Sequence, residues 1–146
     1  MYDHICEILP NMLTETSDPI SNLANASALL GLFLKDINWV GFYMSKGGIL
    51  KLGPFQGKPA VPTIAPGEGV CGTAALEMRT QIVNDVHACE NHIVCDISSS
   101  SEIVVPIVQN GALLGVLDID SPLVARFNEE DRGGLERFAK ILLQYI

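Results

Sequence analysis

Glu102-Ile103-Val104-Val105-Pro106-Ile107-Val108-Gln109-Asn110-Gly111-Ala112-Leu113-Leu114-Gly115-Val116-Leu117-Asp118-Ile119-Asp120 is the stretch that decides the fold. Two aliphatic runs flank Asn110-Gly111, the dipeptide best suited to the positive φ angles of a two-residue hairpin turn. The reading is an antiparallel pair, residues 102–108 and 112–119. Aspartate is uncommon in strands, and Asp118 and Asp120, two residues apart, share one face. An ideal two-residue turn pairs Val108 with Leu113 and Glu102 with Ile119, which turns Glu102 away from both aspartates. Proline inside a strand marks an edge or a bulge. The sequence therefore predicts a bulge near Pro106 that sets Glu102 opposite Asp118, or a Glu102 outside the regular ladder.

Upstream of this hairpin, Trp39, Val40, Phe42 and Tyr43 read as a strand. Lys46-Gly47-Gly48 turns it into a second strand, Ile49 to Phe55. Lys58 to Ala65, with Pro59 and Pro62, is extended and poor in donors, which suits an edge or a loop. Gly67-Glu68-Gly69-Val70-Cys71-Gly72 reads as a glycine-rich turn leading into a short helix, Thr73 to Met78. Gln81 to Asn84 is a short strand. Asp85 to Ser101 is polar and aperiodic, a long loop of the kind that often carries function.

Helical spacing marks both ends of the chain. Ile5, Ile8, Leu9, Met12 and Leu13 form a first helix in which Pro10 predicts a kink or a late start. Asp18-Pro19 reads as N-cap and first-turn proline of a second helix, with Ile20, Leu23, Ala24, Ser27, Leu30 and Leu34 on one face. Asn128, followed by Glu129, Glu130 and Asp131, caps a last helix whose apolar face is Leu135, Phe138, Ala139 and Leu142. The whole is a single α+β domain over residues 1–146. Its sheet of about five strands is mainly antiparallel, with helices on one face.

The chain has 146 residues, 48% hydrophobic and 18% charged, which is enough for one packed core. Its net charge of −8 and lack of a basic run argue against nucleic-acid or anionic-membrane partners. No segment reaches the roughly 18 consecutive apolar residues of a membrane span. Met1 to Pro10 carries no basic region ahead of an apolar core, so the expected location is cytoplasmic, with cysteines that start out reduced.

Thiols and acids carry the chemistry. Cys95, in His92-Ile93-Val94-Cys95-Asp96, reads either as a reactive thiol in a polar loop or as a buried structural one. Cys71 is a candidate to resolve a sulfenic acid, or a small residue packed under a helix start. Cys89, six residues before Cys95, competes for that role, although closing so small a loop is often strained. Cys6 reads as core. His87, Cys89, His92 and Cys95 are zinc-type donors at a spacing that matches no standard zinc pattern. The glycines at 67, 69 and 72 would allow a phosphate cradle, but the lysine such a loop needs is missing. Glu102, Asp118 and Asp120 can hold the α-ammonium of a free amino acid, with one acid retaining a proton for donation; the plain alternative is capping or a solvated face. Trp39 offers a flat apolar wall or a core anchor, and Tyr43 lies four residues on along the same strand face.

Asn38-Trp39-Val40-Gly41-Phe42-Tyr43, Leu52-Gly53-Pro54-Phe55-Gln56-Gly57-Lys58, Gly69-Val70-Cys71-Gly72-Thr73-Ala74, Asp85-Val86-His87, Ser101-Glu102-Ile103-Val104 and Gly115-Val116-Leu117-Asp118-Ile119-Asp120-Ser121 together resemble the free methionine-(R)-sulfoxide reductases, which are stand-alone GAF domains. The resemblance covers roughly residues 20 to 145. It implies a six-stranded antiparallel GAF sheet with the N- and C-terminal helices packed on it. It also implies reduction of free methionine-(R)-sulfoxide with recycling by thioredoxin or a similar dithiol, no metal or organic cofactor, and room for a homodimer. By position it makes Cys95 the nucleophile and Cys71 a resolving cysteine. Glu102, Asp118 and Asp120 become the site acids, and Trp39, Tyr43 and Val94 contact the substrate. Many members carry a further cysteine where this chain has Val61. Two rival readings remain at this stage: a ligand-sensing GAF domain without catalysis, and a thiol redox switch.

Overall fold

The computed structural model describes residues 1–13, 18–88 and 99–146. Six strands among them form one antiparallel sheet. These are β1 (Trp39–Lys46), β2 (Ile49–Gln56), β3 (Thr63–Ile64), β4 (Gln81–Val83), β5 (Ser101–Gln109) and β6 (Ala112–Ser121), in the order β3-β2-β1-β6-β5-β4. Asn110 and Gly111 turn β5 into β6 with φ of 53° and 80°, the paired positive angles that a right-twisted hairpin demands.

The bulge in this hairpin fixes the site. Val108 pairs with Leu113, as an ideal turn requires, yet Ile107 pairs with Gly115. Leu114 is the extra residue. The irregularity thus lies beside Pro106, as predicted, but the inserted residue belongs to β6 and not to β5. Glu102 consequently stands opposite Asp120, where Asp118 was predicted, and Asp118 faces Val104. Either insertion changes the parity by one, so Glu102, Asp118 and Asp120 all share one face.

Among the described residues four α-helices cover the sheet: α1 (Tyr2–Met12), α2 (Pro19–Phe33), α3 (Gly69–Glu77) and α4 (Glu129–Leu142). Helices α1, α2 and α4 bury their apolar sides against Val40, Phe42, Ile103, Val105, Leu117 and Ile119. The intervening strand positions, Tyr43, Val104 and Val116 among them, pack on the other face against Val70, Cys71, Ala74 and Ala75 of α3. The expectation of helices on one face is thus corrected. Both faces of the central strands are apolar in part, and the small side chains of α3 let it close over the second face.

Local chemistry accounts for the other differences. Helix α1 starts at Tyr2 and passes through Pro10, ending two residues later. Pro10 lacks the N–H that would reach back to the Cys6 carbonyl, so it costs one backbone hydrogen bond, but the turns before it form and the predicted late start is not seen. Asp18 caps α2 as predicted, its carboxylate accepting from the Ile20 N–H at 2.9 Å. The face of α2 is rotated, however. Ile20 and Ala24 are exposed, while Asn22, Ala26 and Leu29 are buried, and the Asn22 amide donates to the Tyr145 carbonyl at 2.8 Å. Asn128 and Asp131 form a reciprocal capping box at α4. Asp131 also accepts from the Tyr2 hydroxyl at 2.6 Å, joining the start of α1 to the start of α4. No helix among the described residues is long and apolar enough to cross a membrane.

Candidate active site

A pocket opens on the α3 side of the sheet, with a cavity volume of about 30 Å³. Trp39 and Tyr43 of β1 form one wall, and Asp118 and Asp120 of β6 with Glu102 of β5 lie across the sheet from them. The ladder explains the grouping: Trp39 pairs with Asp120 and Asp120 in turn pairs with Glu102. Three strands therefore deliver these side chains to one spot. Cys71 comes from the first turn of α3, and Val61 and Ile64 also line the pocket.

Helix α3 begins at Gly69, four residues before the predicted start, so Cys71 is a helical residue and not a turn residue. Positive φ at Gly67 and Gly69 lets the chain turn sharply into this early start. The Cys71 side chain is only 4% exposed.

Both aromatic residues direct their polar tips to the segment 58–61, which lines the pocket. The Trp39 Nε1–H donates to the Lys58 carbonyl at 3.0 Å, and the Tyr43 hydroxyl donates to the Val61 carbonyl at 2.9 Å. Trp39 stacks on Phe55 with ring centroids 5.2 Å apart. Gly57 makes the passage possible. A Cβ there would stand 2.5 Å from Trp39 Cδ1, and its φ of +139° is a glycine conformation.

The electrostatics are those of acids withdrawn from water. Glu102 is 4% and Asp118 6% exposed. Burial, then the charges of Asp118 and Asp120, raise the Glu102 pKa well above the usual carboxylate range. Burial also raises Asp118, but hydrogen bonds shared with Glu102, Cys71 and Asp120 pull it back down. Burial thus raises both acids, and the cluster as a whole holds a proton above the usual carboxylate range. Burial above all, then the charges of the same acids, raises the Cys71 thiol well above its ordinary value. Asp118 Oδ1 is buried with no hydrogen-bond partner, so this cluster has capacity for a cationic ligand. Cys71, Glu102 and Asp118 also offer metal-type donor atoms within 4.8 Å of one another.

The structure thus brings together Cys71, Glu102, Asp118, Asp120, Trp39 and Tyr43. Cys95, Cys89, Val94 and His92 lie outside the described residues. His87 ends a short 3-10 turn, Val86–Ala88, and is exposed. Cys6 is buried in the core formed by α1, α2 and α4, as read from sequence. Ser99 and Glu68 line the pocket without having been singled out. Ser99 is 4% exposed, but one residue in the serine run 98–101 carries no pattern that would mark it. Glu68 precedes α3, and its carboxylate accepts from the Ala65 N–H at 3.2 Å.

Residues 7–146 match the GAF domain family model. The free methionine-R-sulfoxide reductase of Escherichia coli (strain K12) is 51% identical over 126 residues, which is 86% of this chain and 76% of that protein. The fRMsr of Staphylococcus aureus, solved in complex with substrate, superposes with a TM-score of 0.93 at 46% identity, covering 99% of this chain and 95% of that one. The free methionine-R-sulfoxide reductase of Neisseria meningitidis, also in complex with its substrate, gives a TM-score of 0.94 at 40% identity over 99% of this chain and 87% of that one.

Proposed function

The chain belongs to the GAF-domain family and, within it, to the free methionine-R-sulfoxide reductases, and from that premise we propose that it reduces free L-methionine-(R)-sulfoxide to methionine. The observation that carries this reading is the meeting of Glu102, Asp118 and Asp120 in a buried pocket walled by Trp39 and Tyr43. A free amino acid brings an α-ammonium, and a carboxylate cluster at low exposure holds such a charge far better than a neutral peptide nitrogen. Trp39 gives the S-methyl group an apolar surface.

In the proposed turnover the Cys95 sulfur attacks the sulfoxide sulfur. The oxygen passes to cysteine, leaving methionine and a Cys95 sulfenic acid. Glu102, an acid whose burial raises its pKa, donates to the sulfoxide oxygen as the S–O bond breaks. Cys95 stands four residues before Ser99 in sequence, and Ser99 lines the pocket. The Cys71 thiol then attacks the sulfenic acid, giving a disulfide and water. Its buried thiol must first lose a proton, and Asp118, which hydrogen-bonds it, takes that proton. A thioredoxin-type dithiol restores both thiols.

The test is conversion of free methionine-(R)-sulfoxide with dithiothreitol, comparing wild type with Cys95→Ser. Turnover by the wild type and none by the variant is the expected result. An inactive wild type rejects the enzyme reading, and a fully active variant rejects Cys95 as nucleophile. Mass spectrometry of the oxidised chain is expected to find Cys71 linked to Cys95; a Cys89–Cys95 bond would reassign the resolver.

A further inference from the structure

The pocket floor holds three donors that serve the proposed turnover and also stand close enough together to share one ligand. The Cys71 sulfur and one carboxylate oxygen each from Glu102 and Asp118 lie within 4.8 Å of one another, on three buried side chains. They come from α3, β5 and β6, so no single turn or loop dictates their meeting. Asp118 is 94% buried, counting from its 6% exposure, and its Oδ1 has no hydrogen-bond partner. A buried carboxylate oxygen without a donor is costly, and such an atom marks a place that a ligand completes. All three residues line the pocket, so a solute entering it meets them.

We propose that this floor is a binding site for a thiophilic divalent cation of the zinc class, with Cys71 Sγ, Glu102 and Asp118 as ligands and a fourth position open to the pocket. A thiolate with carboxylates selects zinc over magnesium or calcium, which take oxygen alone. Three protein ligands and one open position is a recurrent zinc arrangement. Tetrahedral coordination at the usual zinc–sulfur and zinc–oxygen lengths sets donors about 3.5 Å apart. Binding changes no oxidation state. The cation displaces the thiol proton of Cys71 and the proton that Glu102 shares with Asp118, and both leave to solvent. The bound cation takes the place proposed for the substrate ammonium and withdraws Cys71 from thiol exchange, so metal and substrate exclude each other. The site itself does not depend on the proposed turnover, because its ligands are fixed by the fold.

Cobalt(II) titration of the full reduced chain, kept reduced with a phosphine, tests the site without any activity readout. A thiolate-to-cobalt charge-transfer band that saturates at one equivalent and is bleached by zinc is the expected result. Cys71→Ser should abolish the band, Asp118→Asn should weaken cobalt binding at least about tenfold, and Cys95→Ser should leave it intact. No thiolate band in the wild type overturns the proposal. So does a band that survives in Cys71→Ser or disappears in Cys95→Ser. Should Cys71→Ser fail to fold by circular dichroism, the near-isosteric Asp118→Asn decides: undiminished cobalt affinity there overturns it. The sulfoxide assay fails or succeeds separately, so the loss of one reading does not remove the other.

Discussion

At the scale of single residues, Glu102 is where the site's chemistry and its energetics meet. Burial and two neighbouring aspartates raise its pKa, so the folded chain keeps a proton that the unfolded chain releases above the ordinary glutamate range. In that window the folded state binds more protons, and stability falls as pH rises until Glu102 ionises within the fold. Glu102→Gln removes this titration. Its unfolding free energy in urea should be flatter than wild type over the same window, and parallel curves for the two proteins would refute the assignment. The same variant should lose about a hundredfold or more in kcat, the usual worth of a positioned proton donor. Wild-type kcat should fall on the alkaline side as Glu102 loses its proton, and the residual activity of the variant should lack that limb. Val61 supports a separate prediction. It lines the pocket with Cys71, so a thiol placed there would face the same cavity. If Cys71 resolves the sulfenic acid, Cys71→Ser slows steady-state turnover, and adding Val61→Cys should recover it. A double variant no faster than Cys71→Ser would refute a shared pocket route for resolution.

At the scale of elements, the hairpin shows what sequence can and cannot specify. Asn110-Gly111 announced the turn, and the acids on both strands demanded a break in the ladder. Pro106 pointed to its neighbourhood correctly. Which strand takes the extra residue was not legible, because insertion on either strand restores the same parity and only packing against β1 and β4 chooses between them. Helix α3 was half legible for a related reason. Glycines at 69 and 72 argue for a turn by propensity, yet both stand in the helix, Gly69 with a positive φ and Gly72 pressed against neighbouring backbone. A Cβ at Gly72 would lie 2.5 Å from the Ala65 carbonyl oxygen. Capping was read most reliably, since its rules are local: Asp18-Pro19 and Asn128 both stand where the sequence put them. Asn128→Ala breaks the reciprocal box with Asp131 and should cost about 1 kcal/mol by urea denaturation. The KM for sulfoxide should be unchanged, because α4 packs on the sheet face away from the pocket.

At the scale of the whole molecule, the sheet divides its labour between two faces. One face, with Phe42, Leu117 and Ile119 under α1, α2 and α4, is apolar and fully buried. The other face carries acids, Glu102 and Asp118 buried and Asp120 partly so, with the orphaned Asp118 Oδ1 among them. Strand alternation lets adjacent residues of β6 serve opposite ends: Leu117 and Ile119 point into the core, Asp118 and Asp120 into the pocket. The two faces should then respond to mutation in opposite ways. Leu117→Ala removes a fully buried side chain and should cost about 3 kcal/mol, leaving KM near wild type in whatever remains folded. Asp118→Asn removes a buried charge from a crowded cluster and should leave stability at neutral pH equal to wild type or higher. Yet it weakens the hold on the substrate ammonium, and a charged hydrogen bond is worth about 1.5–3 kcal/mol, so KM should rise roughly ten- to a hundredfold. Urea midpoints and sulfoxide kinetics on the same two variants check this. If Asp118→Asn proves as destabilising as Leu117→Ala with KM unmoved, the acids belong to the scaffold and the pocket is not where the amino group binds.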